Sequence, residues 1–246
     1  MKKQTILTAG AVALVALTIG GTASAATAGT YKSNAKVKFV QDTSITPPVD
    51  PTNPGSEVTP VDPDGTNPDP GTAGPLSIDF ASSFGFDEQK ITTKDEVYNA
   101  KAQILSDGTF RPNYLQVTDK RGGANGWTVQ VKQDTQFASA SGTLDGALIS
   151  VKNGQVDSIS TSTVPSLVNK SFDLIIDEDG AGVSQNIVGA KTGEGAGTWV
   201  YRFGDDTNKE TSVTLAVPGS TTKYAEEYTT ELTWTLADVP HVETQP

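Results

Sequence analysis

From Leu76 onward the chain is written with a period of two. "LSIDF" (76–80), "YLQV" (114–117), "GWTVQVK" (126–132), "ALISVKNGQV" (147–156), "SFDLIID" (171–177), "TWVYRFG" (198–204), "SVTLAVP" (212–218) and "YTTELTWTL" (228–236) each alternate apolar and polar residues. Successive side chains of an extended chain point to opposite faces, so each segment suits a strand with one face for a core and one for water. Turn formers separate them: "SDG" at 106, "RGGANG" at 121, "KNG" at 152, "EDGAG" at 178, "GEGAG" at 193 and "FGDD" at 203. Only "DEQKITTKDEVYNAKAQIL" (87–105) has a helical composition, and its consecutive Ile91, Thr92 and Thr93 argue against a continuous helix. Many short strands and almost no helix predict an all-β domain over residues 76–240, an antiparallel β-sandwich of the Ig-like, Greek-key type.

The residues before Leu76 read differently. Lys2 and Lys3, an apolar run from Ile6 to Ile19 and the small residues Ala23-Ser24-Ala25 make residues 1–25 a secretory signal peptide. The run, at about 14 residues, is shorter than the roughly 20 that span a bilayer, so the mature chain is expected to begin near Ala26 and not to span the membrane. In the N-terminal segment 26–45, "YKSNAKVKFV" (31–40) alternates and carries three lysines. It reads either as a short strand without a nearby partner or as an added edge strand or electrostatic contact. Residues 46–75, "TPPVDPTNPGSEVTPVDPDGTNPDPGTAGP", hold only three valines among Pro, Gly, Asp, Thr and Asn. So little apolar surface does not offset the entropy of ordering, which predicts a disordered, acidic, Pro-rich linker.

Charge and residue counts exclude several chemistries. The signal peptide takes two of the 18 basic residues and none of the 29 acidic ones, so the mature chain carries a net charge of about −13. Such a surface repels nucleic acid and other polyanions, including teichoic acids unless divalent cations bridge the contact. The chain has no cysteine, so an exported domain must be held by its apolar core, which is feasible at about 165 residues. The single histidine, His241, lies beyond the last strand in a tail, 241–246, where it is expected to fray, and no Ser-His-Asp or Cys-His arrangement is available. The carboxylates of "DEDG" and "GDD" sit in turn contexts and lack calcium-loop order. "KTGEGAGTW" lacks the Lys-Ser/Thr of a phosphate loop and reads as a long hairpin loop. No catalytic residue, metal site or cofactor is expected. The tail carries no sorting motif, so attachment to any surface is expected to be non-covalent, unless the protein simply diffuses away.

Two tryptophan strands remain. In the last one, Tyr228, Leu232, Trp234 and Leu236 share a face opposite Glu231, Thr233 and Thr235; in the earlier one, Trp127, Val129 and Val131 oppose Thr128, Gln130 and Lys132. Such indoles either fill a core or present a flat apolar face to the C–H face of a pyranose ring. "YTTELTWTL" resembles the terminal signature of the WxL family of Gram-positive surface proteins. So does "NYLQVTDKRG" (113–122) followed by "GWTV" (126–129), with "GEGAGTWVYRFG" (193–204) and "SVTLAVPGST" (212–221) in the expected order. The first motif departs from the pattern, ending in Val129 rather than leucine.

The resemblance implies a secreted, non-enzymatic domain that attaches non-covalently to the cell wall, with peptidoglycan as ligand and Trp127, Val129, Tyr228, Leu232, Trp234 and Leu236 as binding or motif residues. It also implies WxL-interacting proteins and other surface proteins of the same operon as partners. An adhesin for a host or matrix ligand, or a scaffold for a secreted protein, is the alternative. Whether the tryptophans touch ligand or only support the fold stays open, as does their mutual proximity.

Overall fold

The computed structural model describes residues 27–242 of a chain that divides into two compact units, residues 1–38 and 39–246. The expected signal peptide and residues 243–246 of the expected tail lie outside the described residues. In the first unit, residues 27–38 are exposed and form neither strand nor helix. The alternation that starts at Tyr31 therefore does not make a strand.

The second unit is built from strands alone among its described residues. They are β1 (Val49–Asp50), β2 (Asn53–Glu57), β3 (Pro60–Val61), β4 (Leu76–Ala81), β5 (Glu96–Asn99), β6 (Gln103–Leu105), β7 (Phe110–Arg111), β8 (Tyr114–Asp119) and β9 (Trp127–Gln133). There follow β10 (Leu148–Lys152), β11 (Gly154–Asp157), β12 (Leu167–Val168), β13 (Ser171–Leu174), β14 (Gln185–Ala190), β15 (Gly197–Phe203), β16 (Val213–Val217) and β17 (Leu232–Ala237). The 87–105 stretch forms β5 and β6, and no helix occurs among the described residues.

All strand pairs are antiparallel. The two-layer arrangement expected from the strand pattern is replaced by three four-stranded sheets, in the orders β13-β10-β16-β5, β11-β15-β8-β4 and β12-β14-β9-β17. Their inward residues meet in one core that includes Val117, Val129, Ile149, Leu174, Tyr201 and Leu215. Alternation determines which side chains turn inward, but not how many sheets share the interior.

The segment 46–75 is not the disordered linker that its composition suggests. It carries β1, β2 and β3, and β3 pairs with β6 through Pro60 and Leu105. Val49 packs against the buried cluster of Phe80, Tyr114 and Val200, and the other ties are polar. Gln116, fully buried on β8, accepts from the Val49 amide at 2.7 Å and donates to the Pro47 carbonyl at 2.9 Å. Asp50, 6% exposed, forms an ion pair with Arg111 at 2.8 Å. Proline removes a donor but leaves a carbonyl, so a proline-rich segment can dock by offering acceptors to a buried amide. Composition counts apolar area and cannot register such a long-range partner.

The same Gln116 donates to Asp79, which also accepts from Ser77 and Thr118. Burial pushes the Asp79 carboxyl above the usual carboxylate range, against the lowering effect of these three bonds. A folded-state pKa above the unfolded value means that stability from this group is complete below the unfolded pKa and is lost as pH rises through the folded one. Asp79→Asn is therefore expected to gain on the parent as pH rises from about 4 to 7. Thermal melts at several pH values check this; a difference that does not change with pH refutes it.

Candidate functional site

The two tryptophan strands, more than a hundred residues apart in sequence, lie side by side. β17 pairs with β9, with Trp234 opposite Val131 and Leu236 opposite Val129. Directly opposed residues share a face, so Trp127, Val129 and Val131 line the same side of one sheet as Trp234 and Leu236. Trp127 and Trp234 stand about four strand positions apart, roughly 13 Å along the ladder.

The first motif is interior. Trp127 is 1% exposed and Val129 is fully buried, so neither presents a surface to a ligand. The Trp127 indole N–H donates to the Gly195 carbonyl at 2.9 Å, and Trp199, also buried, donates to the next carbonyl, that of Ala196, at 3.1 Å. The glycine-rich loop at 191–196 thus receives two indole N–H groups on consecutive carbonyls. It is not a hairpin loop, because it joins β14 and β15, which belong to different sheets. Its close approach explains Gly195: φ is +73°, and a Cβ there would lie 2.7 Å from the Trp127 Nε1 and 2.5 Å from the Ala190 Cβ. Gly126, at φ +80°, has the Ala190 carbonyl oxygen 2.7 Å from where its Cβ would be.

Residues 113–122 connect this interior to the second motif. Asp119 ends β8, and Arg121 binds both of its oxygens, through Nε at 3.0 Å and Nη2 at 2.7 Å. The same Nη2 donates to the Gly126 carbonyl at 2.7 Å, just before Trp127, and Nη1 pairs with Asp238, just after β17. The Asp119 carboxylate is fully buried and the Arg121 side chain is 8% exposed. One guanidinium therefore joins the end of β8, the start of β9 and the end of β17. Sequence reasoning treated this stretch as a family signature only; an aspartate and an arginine two positions apart where alternation stops is the signal for such a clamp. Beyond β17 the chain is held rather than frayed: Thr128 Oγ1 donates to the Val239 carbonyl at 3.0 Å and the His241 amide to that of Ala190 at 2.9 Å.

The second motif is different in kind. Among the described residues β17 is an edge strand, and Tyr228, Leu232, Trp234 and Leu236 pack on the core while remaining partly exposed. The Tyr228 hydroxyl accepts from the Tyr224 amide at 2.8 Å. Of the three indoles, Trp127 and Trp199 have bonded N–H groups, whereas that of Trp234 makes no hydrogen bond among the described residues. Glu231, just before β17, is exposed. Trp234 does not line the polar cleft of about 410 Å³ formed around Ser141, Thr143, Asp145, Thr221 and Tyr224. A ligand at β17 would meet a partly exposed apolar row with one free donor.

Among the described residues there is no cluster of three His, Cys, Asp or Glu side chains placed to hold a metal ion. No helix among them is long and apolar enough to cross a membrane. A family model described as WxL domain surface cell wall-binding matches residues 26–240, a span that includes the docked segment 46–75. No curated protein and no solved structure matches the chain.

Proposed function

We infer the function from one premise: the chain belongs to the WxL domain surface cell wall-binding family. It is accordingly a secreted protein of the cell surface that associates with the cell wall. The wall component we assign to it is peptidoglycan, held non-covalently at β17, and the role is attachment rather than catalysis. The observation that carries this is the contrast among the indoles: only Trp234 combines partial exposure with an unbonded N–H. A pyranose ring offers a C–H face to stack on an indole and oxygens to accept its N–H. The charge argues in the same direction. At −11 overall, the chain repels anionic wall polymers, so an uncharged glycan face is the better match.

Sedimentation of the mature chain with purified sacculi, stripped of teichoic acid or not, tests this. It should sediment with stripped sacculi and stay bound as salt rises from about 0.1 to 1 M, since stacking and neutral hydrogen bonds are not screened. Failure to sediment with bare sacculi refutes the assignment. Sedimentation that appears only when another surface protein is added would instead establish the scaffold reading.

A further inference from the structure

The polar cleft between residues 141–145 and 220–224 shares no lining residue with β17, yet its walls are firmly built. One wall is a turn closed by the Ser139 amide on the Gly142 carbonyl at 2.8 Å. The buried Leu144 anchors it from below, its amide donating to the Phe137 carbonyl at 2.9 Å. The other wall follows β16. The Thr221 hydroxyl ties the two together by donating to the Asp145 carbonyl at 2.6 Å, and the Lys223 ammonium is committed to the carbonyls of Pro218 and Thr221 at 2.8 and 3.0 Å. Tyr224 supplies an aromatic side. Its side chain is exposed, its amide is held by the Tyr228 hydroxyl at 2.8 Å, and Gly142 lies so close that a Cβ there would stand 3.2 Å from the ring.

The groups left over inside the cleft select the ligand. Among the described residues the hydroxyls of Ser220, Thr222 and Tyr224 make no hydrogen bond, and Asp145 uses only one carboxylate oxygen, for the Thr143 hydroxyl. A hydroxyl both donates and accepts, and a carboxylate accepts more than once, so these groups suit a ligand that brings hydroxyls of its own. No Lys or Arg lines the cleft, and Asp145 repels phosphates and carboxylates. A metal ion would find one lining carboxylate, too few to replace its water.

We propose that this cleft is a second binding site, for one or two rings of a neutral saccharide. Its volume of about 410 Å³ suits a small ligand. The C–H face of a pyranose lies against Tyr224, and the sugar hydroxyls exchange hydrogen bonds with Ser220, Thr222 and the free oxygen of Asp145. Because the walls are already tied, binding orders little that is loose. The assignment is independent of the peptidoglycan reading of β17. An uncharged pyranoside of this kind could come from the wall's own glycan or from a glycan outside it.

The test titrates the mature, isotope-labelled chain with two uncharged disaccharides and follows its backbone amide signals. N,N′-diacetylchitobiose stands for a wall-type glycan and lactose for one foreign to the wall. At least one should shift the signals of residues 141–145 and 220–224 saturably, in the millimolar range. A response to the first alone assigns a wall-type glycan, to the second alone a foreign one, and to both a general pyranoside site. Tyr224→Ala should weaken this binding about tenfold through the lost stacking. Asp145→Asn, which keeps the shape of the cleft, should also weaken it without shifting the melting temperature. Trp234→Ala should leave the response of the cleft intact. The proposal is overturned if neither disaccharide moves the cleft signals, or if both cleft variants bind like the parent. It is also overturned if the responding signals belong to β17 and vanish in Trp234→Ala, a result that would instead support the attachment surface.

Discussion

Arg121→Ala is expected to lower stability by about 3–5 kcal/mol, because it leaves the Asp119 carboxylate buried without its partner. For a domain of this size that corresponds to a fall in melting temperature of roughly 6–20 °C. The loss has a specific origin. Arg121 gives up two bonds to Asp119, one to the Gly126 carbonyl and the pairing with Asp238. Both tryptophan strands thereby lose their common tie to β8. Asp119→Asn combined with Arg121→Met removes the orphaned charge along with the guanidinium, and should be clearly more stable than Arg121→Ala. Thermal melts of the three proteins decide this; if the double variant is as unstable as the single one, the buried carboxylate is not what Arg121 serves.

Trp234→Ala should reduce sedimentation with stripped sacculi to the level of a non-binding control while the protein stays folded. Trp234 lies on an edge and is only partly covered, so truncation costs less than the about 3–5 kcal/mol typical of a buried tryptophan. Trp127→Ala provides the contrast. Its indole is 1% exposed and bonded to Gly195, so it should incur that full cost and lose wall binding only by unfolding. Circular dichroism and melting temperature separate the two outcomes. A folded Trp234→Ala protein that still sediments completely would remove Trp234 from the attachment surface. The two motif tryptophans look equivalent in sequence, yet one is a core residue and the other a surface residue.

Their different fates show where local pattern stops being informative. "GWTVQVK" and "TTELTWTL" carry the same alternation, and its apolar side turns inward, with Val129 and Val131 buried and Thr235 exposed, but the polar side is not uniformly wet: Thr128 is buried too. Exposure of the apolar face, however, depends on whether a strand is central or at an edge. β9 lies between β14 and β17, whereas among the described residues β17 has a neighbour on one side only. Sheet order is a relation among distant segments, and nothing within eight or nine residues encodes it. The docked 46–75 segment and the glycine-rich loop depart from their local patterns for the same reason. The first depends on Gln116, more than sixty residues away, and the second on indoles contributed by two different strands.

The amino-acid sequence by itself determined the all-β class, the inward face of the main strands, the turn positions and the family. These follow from backbone geometry with a period of two, from glycine and aspartate at tight turns, and from spaced blocks of residues. Only the tertiary structure decided that three sheets share one core, that β9 and β17 are neighbours, that Arg121 ties them to β8, and that Trp234 is the indole left partly open. Those outcomes come from which strand edges pair, and edge pairing is settled by contacts between segments far apart along the chain.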